Sequence, residues 1–223
     1  MKILHLLILL MMIVSCRAAA ANEQQLARAC EKGSVQSCTS LGDMYSDIDT
    51  KEGRKKAKTY LDKACAMRDG RSCFNAHVVY WKGDWGEADP PRATRLLEKS
   101  CELDFSHGCF RLGFDLRLRE RYFEAFEALK KACDLGNLEG CNYLADHYEK
   151  GKGVRQSTPL ALAALNKSCD GEHAHSCVTL GFIYSIGKLV RKDDVKAMDL
   201  FGKACDLKDN TGCEQFAKRN RVK

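Results

Sequence analysis

After Val14 the chain has no apolar run approaching the about 20 residues that a transmembrane helix requires, so a soluble mature chain is expected. Charge of one sign is not concentrated either. The formal charge is +6, falling to +4 without Lys2 and Arg17, and basic residues are spread along the chain, with a cluster in the tail Lys218–Lys223. A nucleic-acid surface needs a concentrated basic face, so no nucleic-acid partner is expected. Proline is scarce, with Pro90, Pro91 and Pro159 the only three in 223 residues. No cysteine after Cys16 stands outside a regular spacing, which leaves no free thiol for a nucleophile.

What is abundant is paired cysteine. Two cysteines stand eight positions apart six times: Cys30/Cys38, Cys65/Cys73, Cys101/Cys109, Cys133/Cys141, Cys169/Cys177 and Cys205/Cys213. The pairs recur every 32 to 36 residues. A fixed period of this size marks a repeat array. A strictly paired count behind an export signal marks a set of disulfides.

The signal reads at residues 1–21. Lys2 precedes an apolar run from Ile3 to Val14, and Ala18–Ala21 offers an A-x-A cleavage site. Ile13-Val14-Ser15-Cys16 also resembles a lipobox, so two mature forms stay open. One is soluble in the periplasm or outside the cell. The other is a membrane-anchored lipoprotein carrying lipid on Cys16.

Aligning the chain on its cysteines separates two helical faces. Eight before the first cysteine of a pair come Ala57, Ala93, Ala125, Ala161 and Ala197; four before it come Leu26, Leu61, Leu97, Leu129, Leu165 and Phe201. This i, i+4, i+8 face with small residues predicts a tightly packed helix, here called B. Three, four and seven after the second cysteine come Leu41, Gly42 and Tyr45, with Leu112, Gly113 and Leu116, Leu144, Ala145 and Tyr148, and Leu180, Gly181 and Tyr184 in phase. That i, i+3, i+4, i+7 pattern predicts a second helix, A. A glycine in mid-helix costs about 1 kcal/mol against alanine, so its recurrence implies a close approach by helix B. His77 in that slot is expected to splay or shift the second hairpin. The three prolines stand where helix B begins, a position that tolerates them.

In one continuous helix, cysteines eight apart would lie about 12 Å apart, whereas a disulfide needs α-carbons within about 7 Å. Each pair must therefore enclose a turn, for which Gly33, Gly70, Gly136 and Gly171 are the candidate residues. Each disulfide would staple the end of one helix B to the start of the next helix A. The fold class expected is all-α: a solenoid of five helix hairpins at about 38–72, 73–108, 109–140, 141–176 and 177–212. A partial helix B over Asn22–Glu31 should precede it, and a polar capping helix around Cys213–Arg219 should close it.

The pattern C-x-x-L-G-x-x-Y, then K-A-x-x-L/F-x-K-A-C, resembles the Sel1-like repeat, a relative of the TPR. Its cysteine-rich secreted branch, the Helicobacter cysteine-rich proteins, is the more similar. Tyr148–Val154 and Lys196–Cys205 carry the clearest matches, and the likeness extends from about Leu26 to Cys213. It implies an α/α superhelix whose helix A faces line the concave side. The positions one and five after the second cysteine then become candidates for partner binding: Phe74, Val78, Phe110, Phe114, Asn142, Asp146, Val178 and Phe182. A monomer that captures a protein or peptide is expected, with packing between repeats as the simpler role for the phenylalanines.

The branch also carries penicillin-binding and β-lactamase labels, which makes a weak hydrolase the alternative. Ser185-Ile186-Gly187-Lys188 matches S-x-x-K, but S-D-N and K-T-G are absent. The same loop slot one repeat earlier reads Glu149-Lys150-Gly151-Lys152, so the match is read as chance and no catalytic residue is assigned. His173 and His175 lie inside the Cys169/Cys177 turn, where a reduced protein could bind metal. An oxidising compartment favours the disulfide instead, so no metal and no cofactor is expected.

Overall fold

The computed structural model describes residues 21–83 and 88–220, and every regular element among them is an α-helix. The segment 1–21, expected from the sequence to be an export signal, falls outside the described residues apart from Ala21. Helix α1 runs through residues 21–31. It is followed by α2 (Val35–Ser46), α3 (Lys51–Ala66), α4 (Gly70–Lys82) and α5 (Pro90–Glu102). Next come α6 (Ser106–Leu118), α7 (Tyr122–Asp134), α8 (Leu138–Lys150), α9 (Thr158–Asp170), α10 (Ala174–Ile186), α11 (Asp194–Asp206) and α12 (Asn210–Asn220). The architecture is the expected α/α solenoid class, with A and B helices paired as α2/α3, α4/α5, α6/α7, α8/α9 and α10/α11. Two compact units divide the chain, up to Leu103 and from Asp104 onward.

The B helices bury the predicted face. Ala57, Ala93, Ala125 and Ala197 are fully buried, as are Leu61, Leu129 and Phe201, because the partner helix lies against them. The glycine column of helix A explains how closely. A Cβ on Gly42 would lie 2.4 Å from Leu61, one on Gly113 2.7 Å from Leu129, and one on Gly181 2.7 Å from Phe201. His77, in the same column, does not point outward. Its imidazole is buried, and Nδ1 lies 3.0 Å from the carbonyl oxygen of Ala93 on the facing helix B. The prolines sit at N1 or N2 of α5 and α9, behind the N-caps Asp89 and Ser157.

Five cystines are described within the units. Cys30–Cys38, Cys65–Cys73, Cys133–Cys141, Cys169–Cys177 and Cys205–Cys213 each have α-carbons between 4.4 and 4.8 Å apart. Cys101 and Cys109 stand on either side of the boundary between the units. The turns correct one expectation. Gly33 and Gly136 do adopt positive φ, but Gly70 already belongs to α4 and Gly171 has φ −76°. The left-handed residue is always the third after the first cysteine of the pair. Besides the two glycines it is Arg68, Asp104, Glu172 and Lys208, with φ between +60° and +73°.

The amide of the next residue then reaches back to the carbonyl just before that cysteine. Ser34 bonds Ala29, Asp69 bonds Ala64, Asn137 bonds Ala132, His173 bonds Ser168 and Asp209 bonds Ala204, at 2.9–3.2 Å. This is a Schellman ending. Ser34, Asp69, Asn137 and Asp209 at once cap the following helix by accepting an amide hydrogen three residues on. One tetrapeptide thus ends helix B, caps helix A and brings the two sulfurs together.

Candidate functional site

The face of the A helices carries the candidate positions. In the first unit, Asp43 on α2 accepts hydrogen bonds from Asn75 Nδ2 at 2.6 Å and Arg71 Nη2 at 3.2 Å, both on α4. These groups, with Asp47, Val78 and Lys82, line an open cleft of about 420 Å³. Phe74 and Val78 are half-buried. Thr39, at the first of the two candidate columns, is not exposed. Its hydroxyl is buried 2.8 Å from that of Ser72.

In the second unit, α6 and α8 bring aromatic and charged groups together. The rings of Phe110 and Phe114 both lie 5.6 Å from Tyr143, the second edge-on, and all three are half-buried. The Arg117 guanidinium lies 4.8 Å over the Tyr143 ring and 5.6 Å over Phe114. Such stacking suits the planar, weakly hydrated guanidinium. Arg117 Nη1 comes within 4.0 Å of Asp146 Oδ2, and Lys150 pairs with the other oxygen of the same carboxylate. Yet Arg117 Nε and Asp146 Oδ2 are both buried and have no hydrogen-bond partner. A buried polar atom left unpaired costs about 1–3 kcal/mol, which the ion pair and the stacking of Arg117 on Tyr143 and Phe114 offset here.

The remaining candidates are used differently. Asn142 Oδ1 accepts from the Ser176 hydroxyl at 3.2 Å, linking α8 to α10. Phe182 lies edge-on to the buried Phe201 ring, 5.1 Å between centroids, and is half-buried. Val178 is a correction: at 4% exposure it belongs to the core, since α10 is apolar on nearly all sides and its neighbours close over the first column there. Sequence columns missed Arg117 and Tyr143, eight and two residues after their cysteines. The signal that could have found them is the Phe110–Phe114–Arg117 run at helical spacing on α6, with Tyr143 on α8.

The motifs sought for other chemistry are otherwise engaged. Ser185 Oγ donates to the Phe182 carbonyl at 3.2 Å, and Lys188 Nζ donates to Glu149 at 2.6 Å. His173 Nδ1 lies 2.8 Å from the Ser176 hydroxyl, while the sulfurs of Cys169 and Cys177 are bonded to each other as a disulfide. Burial holds the His173 imidazole below its ordinary pKa, with the neighbouring His175 adding to the effect.

The Sel1 repeat profile matches residues 35–69, 76–105, 138–173 and 174–209, more than half the chain. The chain belongs to the Sel1 repeat family. The unmatched stretch covers α6 and α7, the hairpin whose connecting loop is shortest, although its helices pair as the others do. Cytochrome c oxidase assembly factor 7 of Xenopus tropicalis is 32% identical over 126 residues, 50% of this chain and 53% of that protein. The chain thus spans about half the length of the curated relatives it matches. A Sel1 repeat protein from Oxalobacter formigenes superposes with a TM-score of 0.67 at 17% identity, covering 84% of this chain and 86% of that one. Helicobacter pylori cysteine rich protein B is 32% identical and covers 59% of this chain and 98% of that one, with a TM-score of 0.47.

Proposed function

We propose that this Sel1 repeat scaffold works in an oxidising compartment and holds a protein or peptide partner against the A-helix face of its second unit. The observation that carries the reading is the cluster of Phe110, Phe114, Tyr143, Arg117 and Asp146. It offers half-buried aromatic surface beside a guanidinium and a carboxylate that lie within 4.0 Å of each other and are each 26% exposed. Half-buried aromatic and arginine groups are the residue types that dominate binding hot spots. An extended peptide backbone carries carbonyl and amide groups that complement the exposed part of this guanidinium–carboxylate pair. The disulfides support export, because cytosolic thiol buffers keep such cysteines reduced. A relative named as an assembly factor fits a scaffold better than a catalyst.

The test is a peptide-library selection against the oxidised chain, followed by binding of the selected peptide to variants. Asp146→Asn keeps size and shape and is expected to weaken binding about tenfold, as is Phe114→Ser. Both should leave the helical circular dichroism unchanged. Equal affinity for Asp146→Asn and the parent would remove the second unit's A-helix face from the reading.

A further inference from the structure

The A-to-B loop edge of the second unit carries a second, independent feature. Five apolar side chains stand out there: Leu118 at 65% exposure, Phe123 at 64%, Leu160 at 49%, Ile186 at 68% and Val195 at 69%. Each lies in the last turn of an A helix or the first turn of a B helix, so three successive hairpins present them at the same end. Leu160 borders an open cleft of about 530 Å³ with Tyr148, Val154 and Pro159, and the other four stand apart from it.

Charge divides the same way. The residues between A and B helices (119–121, 151–157 and 187–193) hold seven basic side chains and two acidic ones, Glu120 and Asp193. Lys188, Arg121 and Lys192 form ion pairs with Glu149, Glu124 and Asp194. Arg119, Arg155 and Arg191 are exposed and have no carboxylate partner among the described ion pairs. At the disulfide end the turns hold Asp104, Glu172 and Asp209 against Lys208, and Asp104 is paired with Lys131 of the adjoining helix end.

From this pairing of protruding apolar side chains with unpaired arginines, we propose that the A-to-B loop edge of the second unit docks on an anionic phospholipid bilayer. Exposed apolar groups gain by entering the headgroup boundary, and basic residues beside them are drawn to negative lipid. A folded protein partner would need a pocket for each of the four separate protrusions, Leu118, Phe123, Ile186 and Val195, whereas fluid lipid adapts to them. The opposite edge, where Asp104 and Asp170 pair with Lys131 and Lys203, has no such excess of basic residues in its turns, which favours one orientation. The A-helix face remains free, so this inference does not depend on the peptide reading.

The apolar segment Ile3–Val14 could bind vesicles by itself, so the test must be local. Tryptophan is placed in the full oxidised chain as Phe123→Trp or Ile186→Trp, and as Leu135→Trp at the disulfide end, where Leu135 is 40% exposed. Quenching by brominated lipid is read as the excess over the parent chain. With vesicles containing phosphatidylglycerol, Phe123→Trp and Ile186→Trp are expected to be quenched strongly and Leu135→Trp hardly at all. Adding Arg119→Glu, Arg155→Glu and Arg191→Glu, or raising salt to 0.5 M, should weaken the vesicle affinity read at Phe123→Trp by about tenfold or more. Quenching at Leu135→Trp equal to that at the other two sites would overturn the proposal. So would a blue shift at Phe123→Trp that grows with protein concentration in the absence of vesicles, which would assign this edge to a second copy of the chain.

Discussion

Reducing the cystines is expected to dismantle the array. Every described disulfide closes a loop between residues eight apart. The chain-entropy relation gives about 2.5 kcal/mol at 25 °C for a loop of that length. The first unit holds two such bonds, Cys30–Cys38 and Cys65–Cys73. The second holds three, at Cys133, Cys169 and Cys205. Full reduction therefore removes about 5 kcal/mol from the first unit and about 7 from the second, against a whole-domain stability of about 5–15 kcal/mol. Packing has little to offset this. The centre of each B helix is alanine, which offers far less apolar area than leucine at about 25 cal/mol per Å². For a unit of this size 1 kcal/mol corresponds to about 4–8 °C, so opening one disulfide should lower Tm by about 10–20 °C. The assay is thermal unfolding by circular dichroism of the oxidised chain, the chain with TCEP, and the double variant Cys133→Ala/Cys141→Ala. A Tm that moves by less than about 5 °C on full reduction would show that helix packing suffices. A double variant that costs as much as full reduction would refute the independence of the staples.

Two more outcomes follow from local geometry. Glu172→Gly should raise stability by about 0.5–1 kcal/mol, because Glu172 holds φ +73° where glycine is unstrained; urea unfolding measures it, and a loss would show that this turn is not strained. His147 is fully buried, with Nδ1 2.8 Å from the Lys152 carbonyl and Nε2 without a partner, and desolvation holds its pKa below the ordinary value. The unfolded chain then binds the proton more readily than the folded one, so stability is complete above about pH 6.5 and falls as pH drops towards the folded value. His173 acts in the same direction. The urea midpoint should fall between pH 7.5 and 5, and His147→Gln should flatten that slope while costing about 1–2 kcal/mol at pH 7.5 through the unpaired carbonyl.

The cysteine spacing and the alanine–leucine columns made the hairpins legible because both express one constraint: two helices in close contact must present small and apolar groups at fixed intervals. Gly42, Gly113 and Gly181 were legible for the same reason. The turns were not, because the strained position tolerates arginine, aspartate, glutamate and lysine as well as glycine. The constraint there is a backbone angle that the Schellman bonds and the disulfide together enforce, and no single residue type signals it. Position rather than composition marks it: third after the cysteine, followed in four of the turns by Ser34, Asp69, Asn137 or Asp209 as the cap.

The candidate site was half legible for a related reason. Columns assign positions to a helix face but not to a depth in it. Val178 and Phe182 share the face of α10, yet the first is buried and the second half-exposed, because depth depends on the neighbouring hairpin. The same holds for Arg117 and Asp146, whose unpaired atoms arise only where α6 and α8 are packed side by side. In a repeat protein the unit is written in each repeat, whereas the surface is written in the differences between neighbours. A site on such an array should therefore be sought where adjacent repeats depart from the shared pattern, and α6, with its shortened loop and its Phe110–Phe114–Arg117 run, is where this chain departs furthest.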